Sequence, residues 1–260
     1  MDHPQLLVID YPGRRKTGHV ADLRLADHGV DVHYAMRAEL PDELHGAAYA
    51  RQLIARSGVA PARLAGVVGY CMAGHLAQEA AARLTAATPA PPALILLDSG
   101  PSSADELWEE CRDALGVLGG GRSAVPIDEA TGRLLFDPGR LRAEPHRTIE
   151  EVRSAVRQLA VEMLAEDTAD EEETEEATAP LVDHFLDWLT HLVAAHNSAS
   201  PAWGGDALHI VSRDHPFRAA WPGAQSTSTV TIDCARNDLL GHQGTRDAIL
   251  SLLRTTGPAR

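Results

Sequence analysis

Apolar residues along this chain fall into two alternating patterns. Short continuous runs recur at Leu6 to Ile9, Val30 to Tyr34, Leu64 to Gly69, Ala93 to Asp98, Leu208 to Ser212 and Thr227 to Asp233. Runs of this length, rich in branched residues and lacking polar alternation, are the mark of strands buried on both faces. Between the early runs, apolar positions return at helical spacing over Gly18 to Asp27, Asp42 to Ser57 and Ala73 to Thr85, and again at the end over Gln243 to Leu253. Strands and helices that alternate in this way predict an α/β fold with a mostly parallel, doubly wound sheet.

The alternation stops between Pro101 and Asp206. Helical periodicity continues there over Ala104 to Val117, Thr148 to Ala165 and Leu181 to Ala195, with no convincing strand. The expected organisation is therefore a core built from residues 1–100 and 207–260, with residues 101–206 inserted as a helical lid. Within the insertion, Glu166 to Glu176 carries acidic residues and no basic one, a self-repelling run that favours a solvated segment and is assigned no chemistry. The Gly119 to Gly121 triplet lacks the strand-loop-helix setting of a phosphate cradle and reads as a hinge.

Composition narrows the function classes. The formal net charge is -14, with 23 Lys and Arg against 37 Asp and Glu, which argues against a nucleic-acid backbone as the general ligand. No apolar run is long enough to span a bilayer. The first strand-like run begins almost at once, without the basic, apolar and small-residue regions of a signal peptide, so a cytoplasmic location is expected. Three cysteines, Cys71, Cys111 and Cys234, suit a reducing compartment better than a disulfide framework. The histidines and cysteines lack paired metal-ligand spacing, and no metal or other cofactor is expected.

The sharpest chemical signal is Gly69-Tyr70-Cys71-Met72-Ala73-Gly74, which runs from a buried strand straight into an Ala-rich helix. It has the form of the G-x-S-x-G nucleophile elbow with cysteine for serine and alanine for the last glycine. Small flanking residues are needed there because the nucleophile sits on a strained turn that crowds neighbouring backbone. The helix N-terminus favours the thiolate through its unpaired amides and dipole. A small buried cysteine closing a strand is the plainer alternative. Cys111 and Cys234 have no such context and read as structural.

Asp98 ends the next strand, on the edge where ligands bind in open α/β sheets, and is the expected acid; a turn aspartate ahead of Ser99-Gly100-Pro101 is the alternative. The hydrolase order of nucleophile, acid and histidine points to a histidine between the last strand and the final helix, which is His242. His242 also suits a helix cap, and His215 is the runner-up. His75 lies one helical turn after Cys71, on the flank of the elbow, and Asp238 is a less favoured second acid. The oxyanion hole needs the amide of Met72 and one from Asp10-Tyr11-Pro12-Gly13-Arg14, where Gly13 or Arg14 is the expected donor because proline has none.

Leu7-Val8-Ile9-Asp10-Tyr11-Pro12-Gly13, the elbow, and Leu96-Leu97-Asp98-Ser99 together resemble the oxyanion loop, nucleophile turn and acid strand of polyketide and nonribosomal-peptide thioesterases. The resemblance implies an α/β-hydrolase fold. A cysteine nucleophile in a stand-alone chain of this kind is similar to the Dieckmann cyclases that form tetramic acid and pyridone rings, and the spacing from Cys71 to Asp98 agrees. It implies that Cys71 takes an acyl chain from a carrier-protein thioester and that a β-keto amide carbon then attacks the new thioester, closing a ring. His242, oriented by Asp98, would be the base. The sequence departs from the pattern at Arg236-Asn237-Asp238-Leu239-Leu240, which lies where many thioesterases place Gly-Asp-His. Arg14-Arg15-Lys16, the densest basic run, is a candidate docking segment for an acidic carrier protein. A hydrolytic thioesterase and a non-catalytic binding protein on the same scaffold are the rival readings.

Overall fold

The computed structural model describes residues 3–13, 18–37, 40–118, 129–164 and 171–256. Six strands form one sheet: β1 (Gln5–Ile9), β2 (Asp31–Tyr34), β3 (Leu64–Tyr70), β4 (Ala93–Leu97), β5 (Ala207–Val211) and β6 (Thr227–Thr231). Their spatial order is β2-β1-β3-β4-β5-β6, and every neighbouring pair is parallel. All six coincide with the apolar runs in the sequence. The order reverses direction between β1 and β3, which opens a crevice at their C-terminal ends where such sheets bind ligands.

Both faces of the central strands are covered, which explains why they read as continuous apolar runs. On one face, Leu6, Val8, Val68, Tyr70, Ile95, Leu97, Leu208 and Ile210 pack with Leu239, Leu240, Ile249 and Leu253; the last two come from α8 (Gln243–Thr256). The opposite face carries α1 (Gly46–Ser57) and α2 (Ala73–Thr85). There the approach is close enough to dictate residue size. A Cβ on Gly69 would stand 2.7 Å from the Ala73 carbonyl oxygen and from the Gly74 Cα and N, and a Cβ on Gly74 would meet Ser99 Oγ at 2.6 Å. Each fully buried aliphatic side chain in these layers contributes about 1.5–3 kcal/mol.

The stretch expected to form a helix from Gly18 to Asp27 is instead two 3-10 turns, Val20–Leu23 and Leu25–His28, parted by Arg24 at φ 50°. Polar side chains compete with helix formation here. Asp22 accepts from the His19 amide and Asp10 from the Val20 amide, each at 2.8 Å, while Val20, Leu23 and Leu25 still reach the core.

The chain divides into two compact units, Met1–Pro101 with Ser198–Arg260, and Ser102–Asn197. The insertion thus stops short of the residue 206 read from the sequence. Residues just after it are tied into the first unit: Glu79 Oε1 accepts from Ser198 Oγ (2.8 Å) and the Ala199 amide (2.9 Å). The second unit is helical, with α3 (Ala104–Leu118), α4 (Glu129–Leu135), α5 (Pro138–Ala143), α6 (Pro145–Leu164) and α7 (Glu171–His196). The short α4 and α5 were not legible as helices; α5 starts on an Asp137 cap that accepts from the Arg140 amide at 3.0 Å. Gly119 to Gly121 lies outside the described residues, as does residue range 166–170 of the acidic run.

His209 on β5 breaks the apolar rule of the core. It is fully buried, and neither ring nitrogen has a hydrogen-bond partner among the described residues. Its contacts are aromatic, with ring centroids 5.6 Å from His215, 5.9 Å from Phe217 and 6.2 Å from Trp221. Burial, aided by the neighbouring His215 charge, lowers its pKa to about 4 against the opposing pull of the Ser99 backbone and Asp98.

Two tests follow from this packing. Gly69→Ala should lose about 3 kcal/mol of unfolding free energy, read by urea titration, because its new methyl meets backbone rather than a movable side chain. His209 remains neutral in the folded chain down to about pH 4, whereas an unfolded histidine takes up its proton near pH 6.5. Stability must therefore fall as pH drops through that window and level off below it. His209→Phe should remove this component, worth at most about 3 kcal/mol, seen as a smaller difference between unfolding free energies at pH 7 and pH 4.5 than in the parent.

Candidate active site

The strand register brings the functional residues to one edge. Ile9 lies opposite Gly69, Tyr70 opposite Leu97, Leu97 opposite Ile210, and Val211 opposite Thr231. The loops that follow β1, β3, β4, β5 and β6 therefore leave the sheet at nearly the same level. The ladder runs on by one bond at each of two loops: the Cys71 amide donates to the Leu97 carbonyl (2.9 Å) and the Asp98 amide to that of Ile210 (3.0 Å).

Cys71 occupies the turn between β3 and α2 at φ 54°, and Asp98 the turn after β4 at φ 43°. Left-handed backbone at a residue with a side chain is strained and persists only where packing enforces it. Here the enforcing contact is the approach of α2 onto Gly69. Met72 caps α2 with φ -62° and ψ -25°, which puts its amide among the unpaired donors at the start of the helix. Gly13, buried in the bend after β1, lies on the loop that leaves the same sheet edge. Arg14, Arg15 and Lys16 lie outside the described residues.

The group bonded to the thiol is one the sequence reading did not select. Arg236 Nη2 donates to Cys71 Sγ at 3.1 Å. Arg236 opens the 3-10 turn Arg236–Gly241 after β6. Although the residue as a whole is exposed, its guanidinium is crowded enough for desolvation to be the strongest single influence on it, opposing the charge. That influence is outweighed by Cys71, by Tyr70 through charge and hydrogen bonding, and by Asp98, so the guanidinium is held still more firmly protonated than usual. A signal for this residue was present in the sequence, because Arg236 begins the segment that departs from the thioesterase Gly-Asp-His pattern.

Asp98 is buried. Its Oδ1 accepts from the Ser212 amide at 2.7 Å and lies 3.7 Å from His215 Nδ1. His215 Nε2 donates to the Ser99 carbonyl at 2.9 Å, so that nitrogen carries a proton. His215, the runner-up in the sequence, is thus the histidine against the acid. His242, placed as base by motif order, is exposed and accepts the Gly244 amide on Nδ1 at 3.0 Å, forming the cap of α8. Among the described residues no hydrogen bond or ion pair joins it to Cys71 or Asp98. The capping alternative describes its position because the chain from Arg236 to Gly241 winds into a tight turn and delivers His242 directly to the helix start.

The remaining candidates sort by burial. His75 is packed against Trp221 with ring centroids 5.2 Å apart, its Nε2 meets the Gly100 carbonyl at 3.0 Å, and burial lowers its pKa. The Asp238 amide closes a turn to the Ala235 carbonyl. Burial pushes the Cys111 thiol up to about 12, and burial followed by nearby Asp238 and Asp98 charge raises that of Cys234. Neither is poised as a nucleophile. Among the described residues no three His, Cys, Asp or Glu side chains are grouped to hold a metal ion, and no helix is long and apolar enough to cross a membrane.

No protein-family model matches the chain, and no curated protein matches it in sequence. Solved structures do match in shape. The NocB thioesterase domain in covalent complex with a fluorophosphonate nocardicin G analogue superposes with a TM-score of 0.51 at 19% identity, over 97% of this chain and 95% of that one. A putative epoxide hydrolase from Pseudomonas aeruginosa gives 0.53 at 14% identity, over 98% and 89%. The four-domain nonribosomal peptide synthetase AB3403 gives 0.51 at 14% identity, over 99% of this chain and 20% of the synthetase. With its parallel six-stranded sheet, helices on both faces and a helical insertion after the fourth strand, the chain has the α/β-hydrolase fold.

Proposed function

We propose that the protein is an acyl-transferring cyclase that accepts a β-keto amide acyl chain from a carrier-protein thioester and releases it by Dieckmann-type ring closure. The observation that carries this reading is Cys71 itself, a thiol held at the strained strand-to-helix turn with a guanidinium 3.1 Å from its sulfur. Such a thiol is a ready nucleophile toward a thioester. Exchange of one thioester for another is nearly balanced in free energy, and it keeps the carbonyl electrophilic enough for a carbon nucleophile. The likeness in fold to the NocB thioesterase domain supports the choice of substrate class.

In this scheme the Cys71 sulfur attacks the thioester carbonyl, and the oxyanion is received by the Met72 amide and one from Gly13 or Arg14. Collapse expels the carrier thiolate and leaves the acyl chain on Cys71. The enolate carbon of the β-keto amide then attacks that carbonyl and Cys71 departs as ring closure completes. Asp98 acts through its neighbours: its carboxylate faces His215 and adds to the field that keeps Arg236 charged. The base role given to His242 on motif order is not part of the scheme, since its ring serves the α8 cap. The basic run Arg14-Arg15-Lys16 would receive an acidic carrier protein.

The test is incubation of the purified chain and of Cys71→Ala with a β-keto amide acyl thioester, with products identified by mass spectrometry. The expected result is a cyclic product, lighter than the substrate by the lost thiol, that forms with the parent and at least about 100-fold more slowly with the variant. Cys71-dependent free acid in place of the ring makes the protein a hydrolytic thioesterase. Equal turnover by the parent and Cys71→Ala makes it a non-catalytic scaffold.

A further inference from the structure

The contact between Arg236 and Cys71 changes what the site does with protons. In a cysteine–histidine pair, the imidazole takes the thiol proton, returns it to the leaving group and later draws a proton from water. A guanidinium has five donors and no acceptor and stays protonated throughout the accessible pH range. Arg236 Nη2 at 3.1 Å from Sγ therefore bonds best to a sulfur that has already lost its proton, through a charge-assisted hydrogen bond. The first turn of α2, which begins two residues after Cys71, adds positive potential.

We propose that Arg236 holds Cys71 as a standing thiolate, so that the site accepts an acyl chain without a general base and does not activate water against the acyl-enzyme. This deepens the cyclase reading and rests on it for the second half. The proton balance closes without an enzymic base. Cys71 begins as a thiolate, forms its bond to the acyl carbon as the carrier thiolate is expelled, and ends as a thiolate when the enolate carbon displaces it. The proton given up by the substrate methylene equals the one gained by the carrier thiol, and solvent conveys it. Hydrolysis gains less from this pair: the methylene between two carbonyls is acidic enough to lose its proton to solvent before it attacks, whereas water is a far weaker acid that must be deprotonated as it attacks, and the Arg236 guanidinium accepts no proton. Carbon attack is favoured over water by that asymmetry.

Arg236 also explains the departure in the sequence. The other histidines of this edge are otherwise engaged: His215 donates to Ser99 and faces Asp98, and His242 accepts the Gly244 amide. With the guanidinium next to the thiol, Asp98 both faces the His215 imidazole and adds to the field around a permanent cation.

The pH profile of Cys71 alkylation tests this on the whole chain. The probe is iodoacetamide, with peptide mapping by mass spectrometry to separate Cys71 from the buried Cys111 and Cys234. In the parent, the rate at Cys71 should be nearly constant from pH 6 to 9. In Arg236→Gln it should fall at pH 6 by roughly tenfold or more and climb with pH into the ordinary thiol range near 8.5. Arg236→Lys, which restores a cation, should recover most of the parent rate at pH 6. A parent profile that already rises tenfold per pH unit below 8 overturns the proposal without recourse to any variant, and so does an Arg236→Gln profile equal to that of the parent. The two readings fail separately. A flat alkylation profile with no Cys71-dependent ring product removes the cyclase and leaves the thiolate pair, whereas ring formation with an ordinary thiol profile does the reverse.

Discussion

The close approach of β3 and α2 is the constraint on which the rest of the site depends. The two elements are joined by so short a turn that a side chain at Gly69 would meet the backbone of Ala73 and Gly74, while one at Gly74 would meet Leu96 and Ser99 of the next strand and its turn. Cys71 pays for that contact with a left-handed φ. In return the thiol is carried to the C-terminal edge of the sheet, in front of the helix N-terminus and at the level where the neighbouring strands end. Relaxing the turn would restore ordinary backbone and withdraw the sulfur from its partners.

Electrostatics then act on a geometry that packing has already set. Asp98 sits on a second left-handed turn one strand away, stabilised by the Ser212 amide. Arg236 arrives from beyond β6 and lies between the negative potentials of Cys71, Tyr70 and Asp98, which together outweigh the cost of desolvating its charge. The arrangement keeps a cation beside the Cys71 sulfur. Burial also lowers the pKa of two further histidines, His209 to about 4 and His75.

Local signals made much of the fold readable. The central strands were readable because a strand buried on both faces has no polar alternation to hide it, and the edge strands β2 and β6 through their β-branched and aromatic residues. The elbow was readable because the steric demand of the turn leaves a trace in residue size, at Gly69, Ala73 and Gly74. Where side-chain hydrogen bonding competes with periodicity, reading failed: Asp10 and Asp22 hold Gly18 to Asp27 in 3-10 turns although its apolar spacing suits a helix. The short α4 and α5 escaped because helices of that length carry too few apolar positions to show a period.

The sequence by itself determined the sheet, the strand-to-helix turn that carries Cys71 and the place of Asp98 at the next strand end, since each is specified by residues adjacent in the chain. Which basic group meets the thiol was decided by tertiary structure. Arg236 is 165 residues from Cys71, and motif order pointed to His242 because order records sequence along the chain and carries no information on how a loop winds. The 3-10 turn from Arg236 to Gly241 places the first residue of the loop over the elbow and the residue after it at the cap of α8. A contact between distant residues depends on backbone path and packing, and these exist only once the chain has folded.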